Sequence, residues 1–395
     1  MSLVAFVGDP HFGSSGQLGH TDPATQLNSR LLDYIKTFNA LVDNFERQGV
    51  RILALCGDQF DSRTPPPAVV NAFSECLRRT IDKGFKVVMI AGNHDQSRSS
   101  RTTTIDLYDS LKVQGVSVFT DFGVKSFEDF HLVCLPYRDR KQFQASTNEE
   151  AVQAIKQSLA TLTANLQGPK LVLGHFMMEG TVSHEESDNF SVNEIVLPNS
   201  TFDGLDAAFL GHIHNAEVLK RKGPVIVNVG SMERINFGDR KQPKSTTIVD
   251  TADIENFKVI ETPTRSMFEL AFDYTDRLYK TGITDRIIAD VQAFVAENDV
   301  EGAIVRVAAR MKDLDVYYVN QERIKEILLA SKIDTLAGIQ LVSTTSKQSR
   351  DQAITEAVDA KKAFGSYVKN LTESEAMKKS LVKAAEQIIE EVDGK

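Results

Sequence analysis

The chain has 395 residues, three cysteines and a formal net charge of −9, with 42% hydrophobic and 25% charged residues. That length exceeds one ordinary domain, so two domains plus an appendage is the expectation, and the composition is that of an ordinary soluble globular protein. The acidic balance argues against a sequence-blind basic surface but leaves nucleic acid open, because local basic strips or bound dications can oppose phosphates whatever the overall sign.

The first strand is entered by Leu3 with no basic or apolar leader before it. No later segment approaches the ~18 apolar residues of a membrane span, so no membrane association and a cytoplasmic location are expected. Five apolar runs then each stop at a glycine followed at once by a residue that can bind metal or stand at its edge. They are LVAFVGDPH (3–11), ILALCGDQFD (52–61), VVMIAGNHD (87–95), LVLGH (171–175) and AAFLGHIH (207–214). A short apolar run ending at Gly reads as a buried strand handing over to a loop, which predicts that all five polar groups emerge at one sheet edge. Cys56 and Cys134 sit in apolar runs and are expected in the core; with Cys76 they make neither a disulfide framework nor a metal spacing.

Between these strands, apolar residues at helical spacing predict helices over 24–48, 66–83 and 148–166. Pro65-Pro66-Pro67 starts the second. Its stripe of Val69, Phe73, Leu77 and Ile81 reads either as core packing or as a dimer contact. Gly13 to Pro23, rich in Gly, Ser and Thr, is expected to be a mobile loop over the site. His20 within it is a solvated residue or a substrate contact, His131 is structural, and His184 has no assigned role. From 266 to 345 the order strand (267–274), helix (284–297), strand (303–311), helix (320–331), strand (338–344) predicts a small βαβαβ domain that shapes a substrate cleft. The stretch 350–393 reads as two amphipathic helices, with a capping box from Thr372 to Glu375, that dock on their own domain or bind a partner.

Asp9, His11, Asp58, Asn93, His175, His212 and His214 offer two carboxylates, one amide oxygen and four imidazoles. Oxygen and nitrogen donors without thiolate suit Mn²⁺, Fe²⁺ or Zn²⁺ better than Mg²⁺. Residues i and i+2 on an extended or turning segment can point the same way, so Asp9 and His11 can share one ion. Asp58 is the natural bridging carboxylate, since two dications roughly 3.5–4 Å apart need a shared anion.

GDPH, GDQFD, GNHD, GH and GHIH, in that order, resemble the calcineurin-like metallophosphoesterase superfamily over roughly the first 235 residues. The resemblance implies an α/β fold, a four-layer β-sandwich flanked by helices. It gives one ion Asp9, His11, Asp58 and His214, and the other Asp58, Asn93, His175 and His212. His94 would contact the scissile phosphate and protonate the leaving oxygen, with no covalent phosphoenzyme. Asp95 is placed either to hold that imidazole or to cap the loop.

GDQFDSRTPPP (57–67), GSMERINFGD (230–239), the βαβαβ unit and the helical tail further resemble the SbcD family of DNA repair exonucleases. That family is the prokaryotic counterpart of the eukaryotic meiotic-recombination nuclease. The likeness implies a nuclease domain (1–265), a DNA-capping domain (266–345) and a tail (346–395) that grips an SbcC-like coiled-coil ATPase. It also implies a homodimer through helices near the second and third motifs, which suits Val69, Phe73 and Leu77. Asp61 fits the bacterial form of the family and stands near the chemistry, whereas Pro10 is unusual between Asp9 and His11.

The resulting expectation is a nuclease dependent on two divalent ions, Mn²⁺ foremost, that degrades duplex ends and cuts single strands or hairpins. ATP would be hydrolysed by the partner, because the chain lacks a Walker-type Gly-rich Lys loop. One rival is a stand-alone phosphodiesterase or phosphatase for small molecules; another is a binding scaffold that kept the fold.

Overall fold

The computed structural model describes residues 1–97, 102–181, 193–275, 282–312, 314–343, 368, 377, 378 and 380–385. Along the chain these form β1 (Leu3–Val7), α1 (Ser29–Arg47), β2 (Ile52–Leu55), α2 (Pro67–Asp82), β3 (Lys86–Ile90), α3 (Asp106–Ser110) and β4 (Val116–Phe119). There follow β5 (Gly123–Ser126), β6 (His131–Leu135), α4 (Asn148–Thr163), β7 (Lys170–His175), β8 (Met177–Met178) and β9 (Val196–Leu197). Next come β10 (Ala207–Gly211), β11 (Glu217–Lys220), β12 (Val225–Asn228), β13 (Ser245–Asp250) and β14 (Asp253–Glu261). The last are β15 (Met267–Asp273), α5 (Ile283–Glu297), β16 (Ile304–Met311), α6 (Gln321–Ala330) and β17 (Thr335–Ser343).

The chain divides into two compact units, the first comprising Met1–Glu269, Asp299–Val305 and Leu329–Gly338. It holds two six-stranded sheets, ordered β14-β13-β1-β2-β3-β4 and β11-β12-β10-β7-β6-β5. β1 to β4 pair in parallel, as do β6, β7, β10 and β12, while β13, β5 and β11 join antiparallel.

Alternation along each strand builds the layers, because successive side chains leave opposite faces. Val4 and Phe6 of β1 join Ala54, Val88 and Ile90 and meet Leu171, Leu173 and Phe209 of the other sheet. Phe6 stacks on Phe209 with ring centroids 4.1 Å apart. Burial of each such ring contributes about 1.5–3 kcal/mol. Ala5 and Val7 face the other way, where with Leu53, Leu55 and Met89 they lie under Phe38 and Phe45 of α1 and Phe73 of α2. On the far side Val172, Leu210 and Ile226 are covered by Ala151, Ile155 and Leu159 of α4. The order is therefore helix, sheet, sheet, helix, as the family resemblance implied. Cys56 and Cys134 are fully buried.

The α2 stripe settles as core. Val69, Phe73 and Leu77 are buried, and the Phe73 ring meets Phe12 at 5.2 Å, Phe60 at 5.3 Å and Phe38 at 6.3 Å. The dimer role expected of this stripe is corrected, since these side chains already fill the space between α2 and the first sheet. α1 starts later than expected because the Asp22 carboxylate accepts from the Thr25 N–H at 2.8 Å and its hydroxyl at 2.7 Å, which turns the chain; Asn28 then caps the helix by accepting from Arg30 N–H at 3.0 Å. α4 starts where expected, on a capping box of Thr147 and Glu150.

The second unit comprises Leu270–Asn298, Arg306–Leu328 and Ile339–Lys395. Within it, Tyr274 donates its N–H to the Arg310 carbonyl at 2.8 Å and its hydroxyl to Asp290 at 2.9 Å. Ile287 and Val291 of α5 and Ile324 and Leu328 of α6 are buried. The element order β15, α5, β16, α6, β17, with a three-stranded sheet in the order β15-β16-β17, is the βαβαβ pattern read from the sequence. The capping box at Thr372–Glu375 and His184 lie outside the described residues, as does most of the tail; Val368, Met377, Lys378 and 380–385 are helical. No described helix is long and apolar enough to cross a membrane.

Candidate metal centre

Asp9 and His11 follow β1, Asp58 follows β2 and Asn93 follows β3, all in the first sheet; His175 closes β7, and His212 and His214 follow β10, in the second. The site is thus assembled where two facing sheets meet. The single sheet edge expected from the apolar runs is corrected, for a strand buried on both faces reads the same whichever sheet it joins.

The backbone is forced at these positions. Asp9 (φ 41°), His11 (φ 44°), Asp58 (φ 50°) and His212 (φ 92°) all occupy the left-handed region, which costs a non-glycine residue on the order of 1–3 kcal/mol. Such strain persists only where the surroundings over-determine it. His212 is held by its N–H, which donates to both carboxylate oxygens of Asp9, at 2.9 and 3.1 Å. The glycines of the motifs make room for the same groups. A Cβ on Gly57 would strike Nδ1 of His175, and one on Gly92 would strike Oδ1 of Asp58.

The donors converge around Asp58. Its Oδ2 lies 3.6 Å from Nε2 of His11 and 3.5 Å from Nε2 of His175. On one side Nε2 of His11 and Nε2 of His214 approach to 3.1 Å. On the other, Oδ1 of Asn93 lies 3.0 Å from Nε2 of His175 and 3.0 Å from Nδ1 of His212. Ligand atoms of Asp9, His11 and Asp58 all lie within 4.8 Å of one another, a grouping that could hold a metal ion. This donor set, carboxylate and amide oxygen with imidazole nitrogen, fits borderline divalent cations.

The charges are poised accordingly. Burial pushes the Asp9 carboxyl up to about 7, with Asp58 adding to the rise and the His175 ring opposing it. Burial also opposes ionisation of Asp58, yet His175, His94 and His11 together hold it well below the ordinary value. Burial drives His11 down to about 3; burial also opposes protonation of His175, yet Asp58, Asp9 and the Cys56 carbonyl together lift it to about 9. A bound dication would favour ionised carboxylates and neutral imidazoles throughout this cluster.

His94 donates its N–H to Oδ1 of Asp58 at 2.7 Å, and its ring Nδ1 meets the Asp61 carbonyl oxygen at 2.7 Å. Asp95 does not hold this imidazole. Its carboxylate accepts from Gly92 N–H at 2.8 Å and Gln59 N–H at 3.1 Å, so the loop-capping alternative is the observed one. The orienting group is instead the backbone of Asp61, whose half-buried carboxyl is raised by burial to about 6. A cavity of about 510 Å³ opens over this cluster, and His94, Asp61 and Gly13 to Leu18 line it together with His11, His212 and His214. The start of the Gly13–Pro23 loop therefore does lie over the site. His20 turns to Thr335, at 3.2 Å, and Ser29, at 3.3 Å, and is not a cavity residue. His131 is structural, bonded to Ser126 and the Gln167 carbonyl.

Residues without a sequence signal complete the site. Glu194 approaches Nε2 of His212 to 3.3 Å and accepts the Tyr137 hydroxyl at 3.2 Å. Lys244, fully buried, donates to the His214 carbonyl at 3.0 Å and pairs with Asp239 at 3.4 Å. Nδ1 of His175 donates to the Cys56 carbonyl at 2.7 Å.

Two facing sheets that gather carboxylate, amide and imidazole donors at strand ends define a metal-dependent phosphoester hydrolase. Residues 2–216 match the model of the calcineurin-like phosphoesterases, more than half of the chain, and the chain belongs to that family. It is similar to the SbcD component of the nuclease SbcCD from Bacillus subtilis (strain 168), with 23% identity over 251 residues, 59% of this chain. The match spans 63% of that relative, less than two thirds of its length. Among solved structures, a dimetal phosphatase from Danio rerio aligns at 12% identity and a TM-score of 0.41, covering 66% of this chain and 96% of the other.

Proposed function

We propose that this chain is the catalytic component of an SbcCD-like complex, a Mn²⁺-dependent nuclease cutting duplex ends and single strands or hairpins. The observation that carries the catalytic part is the placement of Asp58 Oδ2 between the His11 and His175 nitrogens, at 3.6 and 3.5 Å. In this reading Asp9, His11, Asp58 and His214 hold one ion, and Asp58, Asn93, His175 and His212 hold the other. Two dications, when bound, supply charge stabilisation at the phosphoryl oxygens and a nucleophile from water at neutral pH.

The chain's own residues do the rest. Asp58 would be shared by the two ions, and its Oδ1 accepts the His94 N–H and so fixes that backbone. Because Nδ1 of His94 faces a carbonyl oxygen, that nitrogen carries a proton and Nε2 is the atom left to exchange one with substrate. A protonated His94 then delivers its Nε2 proton to the leaving oxygen. DNA as substrate is favoured by the likeness to a component of SbcCD and by the βαβαβ unit after the phosphoesterase region. In the same reading 1–265 is the nuclease domain, 266–345 caps DNA and 346–395 binds the ATPase. A second reading, hydrolysis of a small phosphoester, is favoured by the cavity of about 510 Å³, a size suited to small ligands. End-labelled duplex DNA and a generic small phosphodiester, each incubated with Mn²⁺, separate the two. Cleavage of DNA supports the nuclease, and hydrolysis of the small ester alone transfers the protein to the second reading.

A further inference from the structure

We infer that Glu194, seconded by Tyr137, is a positioning residue of this centre, fixing the His212 ring so that Nδ1 presents its lone pair beside Asn93. The inference rests on the proposed metal centre and deepens it. An imidazole that binds a cation through one nitrogen carries its proton on the other, and the group facing that second nitrogen sets both tautomer and ring angle. For His212 the first nitrogen is Nδ1, 3.0 Å from Asn93 Oδ1, and the second is Nε2, 3.3 Å from Glu194 Oε1. The approach is an ion-pair contact, not an aligned hydrogen bond, in this structure; an ionised carboxylate is an acceptor only, so with a cation on Nδ1 it would favour the form of His212 protonated at Nε2.

Glu194 is itself held. Its side chain is 9% exposed, leaving little water to replace it, and its other oxygen accepts the Tyr137 hydroxyl at 3.2 Å. Tyr137 is anchored through its N–H to the Ala91 carbonyl at 2.8 Å, two residues before Asn93. Its ring also packs 5.6 Å from His212 and 6.0 Å from His175. One linkage thus joins Ala91, Tyr137, Glu194 and His212 around the donor group of a single ion. The other ligand ring on that side, His175, turns Nδ1 to the Cys56 carbonyl at 2.7 Å, with Asp9 Oδ1 farther off at 3.6 Å. Glu194 meets the centre through His212, so its effect is expected at the ion held by Asp58, Asn93, His175 and His212.

The test is a calorimetric Mn²⁺ titration of the full chain as wild type, Glu194→Gln and Tyr137→Phe, with thermal melts of the chelated proteins alongside. Glu194→Gln is expected to weaken one of the two Mn²⁺ sites by about 10- to 100-fold, leaving the other at wild-type affinity. Tyr137→Phe acts in the same direction with a smaller loss, and it carries the test if Glu194→Gln does not fold. A purely structural Glu194 would lower the melting temperature and leave both affinities alone; that result, or equal weakening of both sites, overturns the inference. A wild type that binds no Mn²⁺ overturns the metal centre itself, an outcome read in a separate arm.

Discussion

Replacing Gly92 with Ala asks whether that glycine serves the backbone or makes room for Asp58. Gly92 lies outside the left-handed region, so alanine meets no conformational penalty of that kind. Its Cβ would fall on both Oδ1 and the backbone nitrogen of Asp58 and stand 2.7 Å from Cγ, and ordinary contact begins at 3.4 Å, so the carboxylate and the backbone that carries it must both withdraw. Metal ligand distances tolerate only about 0.2 Å. Because Asp58 Oδ2 lies 3.6 Å from the His11 nitrogen and 3.5 Å from the His175 nitrogen, its withdrawal should cost both Mn²⁺ ions together. Overpacking of this kind costs about 1–3 kcal/mol, enough to lower the melting temperature by a few degrees. Gly282→Ala is the control, its new methyl meeting nothing nearer than Asp285 Oδ2 at 4.0 Å. The assay is Mn²⁺ titration by calorimetry. Wild-type affinity at both sites in Gly92→Ala would refute the steric argument, and loss of one ion alone would refute Asp58 as the bridge.

Other expectations follow from the same geometry. His94→Ala should keep both ions in calorimetry and lose about 10²- to 10⁴-fold in phosphoester cleavage; loss of metal in this variant would make His94 a ligand instead. Phe73→Ala should destabilise by about 3–5 kcal/mol in denaturant titration, because the ring packs among Phe12, Phe38 and Phe60; a change in oligomeric state with unchanged stability would restore the dimer role. Deleting 350–395 should abolish capture of an SbcC-like ATPase in a pull-down while sparing Mn²⁺-dependent hydrolysis, and recovery of the partner by the truncated chain counts against the tail. Burial holds the Asp61 carboxyl at about 6, above its ordinary 3.8, so the folded chain keeps a proton that the unfolded chain releases in that window. Stability of the chelated protein should therefore fall as pH rises through it, and Asp61→Asn should flatten the profile; parallel melting curves for the two proteins would contradict this.

What the sequence could reveal was local. A strand ended by glycine announces itself within six residues, and GDPH or GHIH holds two donors close enough in the chain to be read together. The partner sheet of each strand was illegible, since β1 and β10 are equally apolar and only the topology assigns them. Glu194 was illegible for a related reason, because its contacts with Tyr137 and His212 are made across the fold and leave no spacing to detect. Adjacency misled at Asp95. Its place beside His94 suggested a side-chain pair, but the loop turns that carboxylate inward to the N–H groups of Gly92 and Gln59.

The residues that defy local preference are also those that carry the proposed chemistry. Asp9, His11, Asp58 and His212 each leave the conformations favoured by L-residues, and each directs a donor group into the same space. A chain optimised only for stability would place glycine or asparagine there and avoid strain on the order of 1–3 kcal/mol per residue. The opposition sustaining that strain is visible in the structure. Asp9 is gripped by the His212 N–H, and the His94 N–H grips Asp58, so the forced turns of one sheet are clamped to loops of the second sheet or of a neighbouring strand. Loosening either clamp should relax the backbone and scatter the donors together, which makes metal affinity, rather than catalytic rate, the sensitive measure of damage in this part of the molecule.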